Sequence, residues 1–389
     1  MIVRALLIIL IIFIILAVIV PLLLNALGVP IFSSGGDGSG RAASTPTSSE
    51  KTGILFRSPD RGREWDSAEF IRGRGVRAPS GVLDIAFDPT DAKVVLVGTK
   101  GAGLWKSMDG GITYKQVRDT NGALDAQSDI YAVAISQTRP ETIYLAAFQA
   151  RRGRVFRSED RGATFGEIYS ATQDRFGVFD VYTPPGSPDT AMIATGEGRI
   201  LETRDGGVRW RIVRSIGEPI RLLAANPAFS GERYAITERG YLSKTFDSGL
   251  NWADLGDPIL SPGSGAGIIE NPYANWSIGF GLRAAPFSFA VNPANPPNLY
   301  FIKATDLLES ADGGFSWQKI TSLTAGEGTV LGGVGVSRGD LFVSAGADLY
   351  KSGDRARSWE MIPIAEKGTL RNIFIHPHNQ DIIFITAEP

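Results

Sequence analysis

Ser310-Ala311-Asp312-Gly313-Gly314-Phe315-Ser316-Trp317 decides how this chain is read. It places a hydroxyl residue first, Asp two positions on, Gly two further and an aromatic three after that. The spacing returns at Ser58/Asp60/Gly62/Trp65, Ser107/Asp109/Gly111/Tyr114, Ser158/Asp160/Gly162/Phe165, Thr203/Asp205/Gly207/Trp210, Thr245/Asp247/Gly249/Trp252 and Ser352/Asp354/Ala356/Trp359. Only the last copy departs, with Ala356 in the glycine place. From Asp to Asp the steps are 49, 51, 45, 42, 65 and 42 residues. Strand-like sequence fills the intervals, and a strand-built repeat in the forties is the mark of a β-propeller.

Each copy sits between two short strand-like runs, such as 103–106 and 113–117, so it must encode a tight turn. Asp and Ser or Thr side chains accept hydrogen bonds from backbone N–H groups a little further along. Gly tolerates the positive φ that a side chain resists. The aromatic, with roughly 150–250 Å² to bury, anchors the turn between sheets.

A full repeat supplies four strand-like runs: 81–89, 93–100, the run before the motif and the run after it. Turns equivalent to the one at Pro89 recur at Ser136, Asn226-Pro227, Asn292-Pro293 and His376-Pro377. Four strands make a propeller blade. Only one short run (53–57) precedes the first motif, whereas the chain ends in two runs, 369–376 and 381–386, with no motif after them. Joined, these halves make one sheet. The sequence therefore predicts an all-β, seven-bladed propeller whose last blade is shared by both ends of the chain, which removes free sheet edges.

The motif resembles the Asp-box, or bacterial neuraminidase repeat, over nearly everything from residue 52 onward. That resemblance implies boxes at the rim, away from the ligand face, so Asp60, Asp109, Asp160, Asp205, Asp247, Asp312 and Asp354 are expected to be structural. The phrasing of the repeats is most similar to the photosystem II stability/assembly factor family, with sortilin-type propellers further off. Asn292-Pro293-Ala294-Asn295-Pro296 leading to Leu299-Tyr300 and then to the 310–317 motif carries that likeness. It implies a non-enzymatic binding or assembly factor acting on membrane proteins from the far side of the bilayer. Cyanobacterial members look like lipoproteins, and this chain has no Cys to hold a lipid.

Composition fits a globular all-β protein, 43% hydrophobic with 46 Gly. A formal net charge of −2 leaves no global field to attract nucleic acid. Without Cys there are no disulfides, thiolate metal sites or Cys nucleophiles. The two His share one turn, His376-Pro377-His378, and alone make no metal site, so no metal or cofactor is expected. Residues 5–24 form an unbroken apolar run, about 30 Å long as a helix and sufficient to cross a bilayer core. Arg4 precedes it and no Lys or Arg follows before Arg41, which by the positive-inside rule puts the propeller outside the cytoplasm. A cleavable signal peptide fits less well, because its apolar part is shorter and small residues precede its cleavage site. Residues 1–32 thus read as a membrane anchor, 33–51 as a Ser/Gly/Thr-rich tether reaching roughly 20–25 Å, and 52–389 as the propeller.

Propeller ligands meet the face made by loops between blades and by second-to-third-strand loops, and three places there could form a site. Residues 255–286 account for the 65-residue step and bring Tyr273, Trp276 and Arg283, types that recognition surfaces favour. Arg72, Arg74 and Arg77 lie in the first inter-blade loop, and Arg151, Arg152 and Arg154 in a second-to-third-strand loop; their guanidinium groups could grip carboxylates. Arg199, Arg221 and Arg371 could extend that surface. Asp84, Asp180, Ser288 and Asn372 lie near the starts of innermost strands, where polar side chains would line a wet axial channel.

Glycoside hydrolysis needs two carboxylates about 5–10 Å apart, or a Tyr nucleophile. Asp84 with Asp180 is the catalytic pair to test. Sialidases share the motif but carry an Arg–Ile–Pro sequence that does not occur here, usually on six blades. Xyloglucan-cleaving relatives pair two seven-bladed propellers with a catalytic Asp in each, whereas one propeller is read here. The resulting expectation is a membrane-tethered, extracytoplasmic propeller that binds a protein through its Arg-rich loops and residues 255–286. The alternative is a carbohydrate-binding or glycoside-hydrolysing cell-surface protein.

Overall fold

The computed structural model describes residues 48–229, 231–258, 287–292, 298–326, 328–364 and 368–388. The expected membrane segment 5–24, tether residues 33–47 and insertion residues 259–286 lie outside the described residues. Thr47–Pro389 forms one compact unit, and no helix among the described residues is long and apolar enough to cross a membrane.

The described residues are all β, and their strands fall in chain order into antiparallel fours. Five four-stranded sheets stand separately, and a sixth sheet has eight strands. In that larger sheet the last two strands of the chain, Thr369–Ile375 and Ile383–Glu388, continue into the first two, Ser48–Ser58 and Asp66–Arg72. Leu55 pairs with Thr386 and Ser58 with Ile383, in antiparallel register. The half-blades at the two ends do complete one sheet.

Two features depart from the sequence reading. The first strand begins at Ser48, inside the stretch read as tether, because 48–51 pair with the backbone of Arg72 back to Glu69. Asp66–Arg72 also runs parallel to Thr113–Gln116, with Glu69 N–H donating to Ile112 O at 2.9 Å. This joins two neighbouring groups at edges that would otherwise present unpaired backbone.

The first strand of each group lies against the first strand of the next, from Val82–Phe87 through Asp129–Ile135, Val178–Tyr182, Ile220–Ala225, Phe287–Val291 and Leu331–Ser337 to Thr369–Ile375. The core is divided in the same way. Leu96 and Leu104 pack with Ile130 and Phe156 of the following group, and Tyr234 and Ile236 with Leu299 and Phe301 of the next. At the seam, Ile382 and Phe384 from the end of the chain pack with Val82, Ile85 and Val97, so the succession closes on itself as a β-propeller. Second strands bury both faces, which is why they read as continuous apolar runs rather than alternating ones. Every residue of Val95–Thr99 and Ala191–Thr195 is buried.

The repeat motif has one geometry in all its described copies. The Ser or Thr Oγ accepts the N–H of the residue four positions on, from 2.7 Å at Gly62 to 3.0 Å at Gly249. The Asp carboxylate accepts the N–H four residues after it at 2.8 to 2.9 Å. Gly111 shows why glycine is required: φ is 92°, and a Cβ would lie 2.5 Å from Phe384 of the closing sheet. Ala356 adopts φ 60° and still donates to Ser352 Oγ at 2.9 Å, so the seventh turn forms without glycine. Hydrogen bonds, first from the Thr164 and Ser358 hydroxyls, hold Asp160 and Asp354 down to about 2. These carboxylates are structural anions. A cation preceding the motif also reaches the next sheet's turn: Arg57 Nε to Gly110 O at 2.7 Å, Lys106 Nζ to Arg161 O at 3.2 Å, and Lys244 Nζ to Gly313 O at 3.0 Å.

Candidate functional site: the axial channel and its loop face

Among the described residues, six of the seven innermost strands share an irregularity that Phe287–Val291 lacks. Register shifts leave Leu83, Tyr131, Phe179 and Arg221 as extra residues against their partner strands, and similar shifts fall at Gly332-Gly333 and Arg371-Asn372. Such bulges re-aim side chains. Immediately after two of them stand Asp84 and Asp180. Asp84 Oδ2 accepts the Val133 N–H of the next inner strand at 2.7 Å. Asp180 accepts the Leu223 N–H at 2.6 Å through one oxygen and the Val181 N–H at 2.7 Å through the other. Ser288 Oγ takes the Val334 N–H at 3.1 Å in the same manner. Three of the four channel residues thus join alternate pairs of inner strands. Asn372 instead places its N–H on Thr386 Oγ1 at 3.0 Å.

Burial, and then the charge of Asp180, push Asp84 up to about 8; burial alone raises Asp180 to about 7. Such values would suit acid–base chemistry, yet geometry argues otherwise. Both are fixed by main-chain amides, Asp84 through one oxygen and Asp180 through both, the arrangement of a tether between neighbouring inner strands.

The two Arg groups differ. Arg151 and Arg152 both face Asp174, with Arg152 Nε at 2.7 Å, and Arg154 pairs with Glu167. Arg199 pairs with Glu197 at 3.0 Å and Arg371 with Glu388 at 2.6 Å. Arg154, Arg199 and Arg371 are thus each paired with a carboxylate, whereas Arg151 and Arg152 share one. Arg74 and Arg77 are exposed and have no carboxylate partner among the described residues, while Arg72 is half-buried at the strand end. Tyr273, Trp276 and Arg283 lie outside the described residues. The paired histidines serve the turn: buried His376 accepts the His378 and Asn379 N–H groups through Nδ1 at 3.2 and 3.1 Å.

Sequence reasoning passed over Tyr131 and Phe179, and named Arg221 only as an extension. Their bulges bring all three together. The Arg221 guanidinium lies 4.1 Å above the Phe179 ring centre, and Tyr131 meets the same ring edge-on at 5.5 Å. The signal was a large side chain at one place in three consecutive repeats, in Ile130-Tyr131-Ala132, Val178-Phe179-Asp180 and Ile220-Arg221-Leu222.

Fold and channel together define a β-propeller. No protein-family model matches the chain. In sequence it is 30% identical over 138 residues to the xyloglucanase Xgh74A of Acetivibrio thermocellus, a match covering 30% of this chain and 16% of that protein. The chain therefore spans only a small part of that relative. In structure it is similar to Ycf48 from Cyanidioschyzon merolae, with a TM-score of 0.58, 15% identity, and coverage of 80% of this chain and 97% of that one. A Ycf48 bound to a D1 peptide gives 0.58 and 15%, covering 80% and 94%. A GH74 xyloglucanase from Xanthomonas campestris gives 0.59 and 16%, covering 81% of this chain and 52% of that one. At these identities the structural likeness establishes the fold.

Proposed function

We propose that the chain is a seven-bladed Asp-box propeller whose last blade is closed by strands from both ends. We propose further that residues 5–24 anchor it in a membrane, and that outside the cytoplasm it binds a protein partner without catalysing a reaction. The observation that carries this reading is coverage. The chain matches 94% of a Ycf48 propeller solved with a bound peptide, but 52% of a xyloglucanase. The commitment of Asp180 and Asp84 to main-chain amides supports the same side. Arg74 and Arg77, with Arg72 beside them and residues 255–286, form the contact surface on this reading. No photosynthetic role follows from it. The second reading, a carbohydrate-binding or carbohydrate-cleaving protein, draws support from the 30% identity to Xgh74A.

The test uses the full chain in its own membranes. With Arg74→Glu and Arg77→Glu, co-purification of the partner should fall at least tenfold while the unfolding temperature stays unchanged; undiminished capture would remove the loop surface. Incubated with xyloglucan, the wild type should release no reducing ends. Release that disappears in Asp84→Asn and Asp180→Asn would establish the carbohydrate reading instead.

A further inference from the structure

Across the channel mouth the bulges of three successive inner strands build something the structural motif does not require. Phe179 rests on glycine: a Cβ on Gly177 would lie 2.7 Å from its ring, and one on Gly196 3.2 Å. Side chains at those two positions would displace the ring. The seat leaves Phe179 free to carry the Arg221 guanidinium at 4.1 Å and the edge contact with Tyr131 at 5.5 Å.

Stacking occupies a face of the guanidinium and leaves its N–H edges open. Arg221 makes no ion pair and no hydrogen bond among the described residues, and the Tyr131 hydroxyl makes none either. Nearby acids are already engaged. Asp129 accepts the Gly101 N–H at 2.7 Å, Glu197 pairs with Arg199, Glu218 faces Arg239 at 3.8 Å, and Asp180 holds two amides. Arg221 is therefore a cation without an ion-pair partner among the described residues, beside an aromatic platform, and the Asp129 carboxylate is the facing anion that acts on Tyr131. Towards the first group the track continues to Arg77, whose guanidinium and the Asp129 carboxylate both border Gly101.

We infer that Tyr131, Phe179 and Arg221 form a subsite for an acidic side chain, with an aromatic or other flat apolar side chain two residues away, on an extended segment of the partner protein. This rests on the protein-binding reading. In an extended segment, residues two apart point the same way. One can then set its carboxylate across the Arg221 N–H edges with the Tyr131 hydroxyl donating, while the other lies against the half-buried Tyr131 ring, one Phe179 face being taken by Arg221. Bidentate guanidinium–carboxylate bonds and aromatic anchors are the contacts that dominate such interfaces.

The probe is the blocked pentapeptide acetyl-Gly-Glu-Gly-Phe-Gly-amide, titrated calorimetrically into the full chain in detergent at low and at raised salt. Wild type should bind it, more weakly at raised salt. Changing the peptide Glu to Gln, or Arg221→Gln in the protein, should each weaken binding at least tenfold, and the two changes together should cost no more than either alone. Tyr131→Phe, which removes only a hydroxyl, should cost a few fold with unchanged thermal unfolding. A peptide with free C-terminal Phe and Gln for Glu tests a terminal carboxylate, and equal binding by that arm overturns the side-chain assignment. Absence of wild-type binding, or equal binding by Arg221→Gln, overturns the subsite. Those outcomes leave the wider reading standing if partner capture still depends on Arg74 and Arg77. Peptide binding that persists when capture does not depend on them sinks the loop surface alone.

Discussion

Replacing Asp84 and Asp180 together by Asn should stabilise the protein at pH 9 and do so much less at pH 5. Both carboxyls are raised, to about 8 and about 7, by burial and, for Asp84, by the neighbouring charge of Asp180. A carboxyl raised on folding binds its proton more tightly in the native state. Its contribution is therefore full below the ordinary carboxylate range and is lost as pH rises through the native value. Between pH 5 and pH 9 the wild type must ionise two half-buried carboxyls, and the Asn variant ionises neither. Each pKa unit corresponds to about 1.4 kcal/mol, and water and amide dipoles in the channel absorb part of the cost, leaving an expected gain on the order of 2–4 kcal/mol. For a unit of roughly 340 residues, with unfolding entropy of about 2.1 cal/mol/K per residue, this raises Tm by about 3–6 °C. Asn keeps a carbonyl oxygen for the Val133 and Leu223 N–H groups, as the neutral Ser288 acceptor does for Val334, but at position 180 its NH2 replaces the oxygen that accepts the Val181 N–H, which trims the gain there. Scanning calorimetry of wild type, both single variants and the double variant at pH 5, 7 and 9 measures the effect. An equal loss of stability at all three pH values would mean that the charges themselves hold the inner strands together, and the burial argument would be wrong.

Two other perturbations test the turns and the seams. Gly111→Ala should cost on the order of 3 kcal/mol or more, because the new methyl group lies 2.5 Å from Phe384 at φ 92°. Ala356→Gly at the same motif position should stay within about 1 kcal/mol of wild type, relief of left-handed strain offsetting a lost buried methyl; urea denaturation separates them, and similar effects at both sites would refute the packing account. Lys244→Met should destabilise by about 3–5 kcal/mol, since Lys244 is 2% exposed and pairs at 2.6 Å with buried Glu232. Adding Glu232→Gln should restore most of that loss, and a double variant no more stable than Lys244→Met would show that the Gly313 carbonyl contact, not the ion pair, carries the effect.

The fold was legible because its turns are made by short-range chemistry. A hydroxyl, a carboxylate and a glycine at fixed spacing specify backbone hydrogen bonds within a few residues, so Ser310 to Trp317 can be read without knowing what surrounds it. Closure was legible from arithmetic, since two strands too few at one end matched two too many at the other. The parallel contact between Asp66–Arg72 and Thr113–Gln116 was not, because it depends on where two outer edges come to lie in space. The candidate site was legible in part for a related reason. Asp84, Asp180 and Ser288 could be placed on the channel by repeat position, but their engagement with Val133, Leu223 and Val334 depends on the neighbouring sheet. Arg151, Arg152 and Arg154 read as an open cationic group until Asp174 and Glu167 folded back onto them. Tyr131 and Phe179 read as ordinary strand residues, because a bulge that turns a side chain outward leaves no mark on composition.

The inner-strand contacts also bear on why closure is built as it is. Asp84, Asp180 and Ser288 each reach forward to a strand whose own equivalent residue is Ala132, Leu222 or Gly333, none of which has a side-chain acceptor to pass on. Acceptors and non-acceptors alternate, so the contacts join the inner strands in pairs, and an odd number of groups leaves one without a partner. The one left over in this series is Thr369–Ile375, where Asn372 spends its N–H within its own sheet and Ser344 Oγ of the preceding group donates instead to Arg371 O at 2.6 Å. The seam there depends on other means: the backbone ladder between Leu55–Ser58 and the strand Ile383–Glu388, the fit of Phe384 against Gly111, and Arg57 on the Gly110 carbonyl. Backbone pairing between the two chain ends spans four residue pairs, more than a single side-chain contact supplies. Glycine is needed at the inner strands as much as at the seam: a Cβ on Gly332 would lie 2.3 Å from Leu370 O and one on Gly333 2.5 Å from Arg371 O, against 2.5 Å from the Phe384 ring at Gly111.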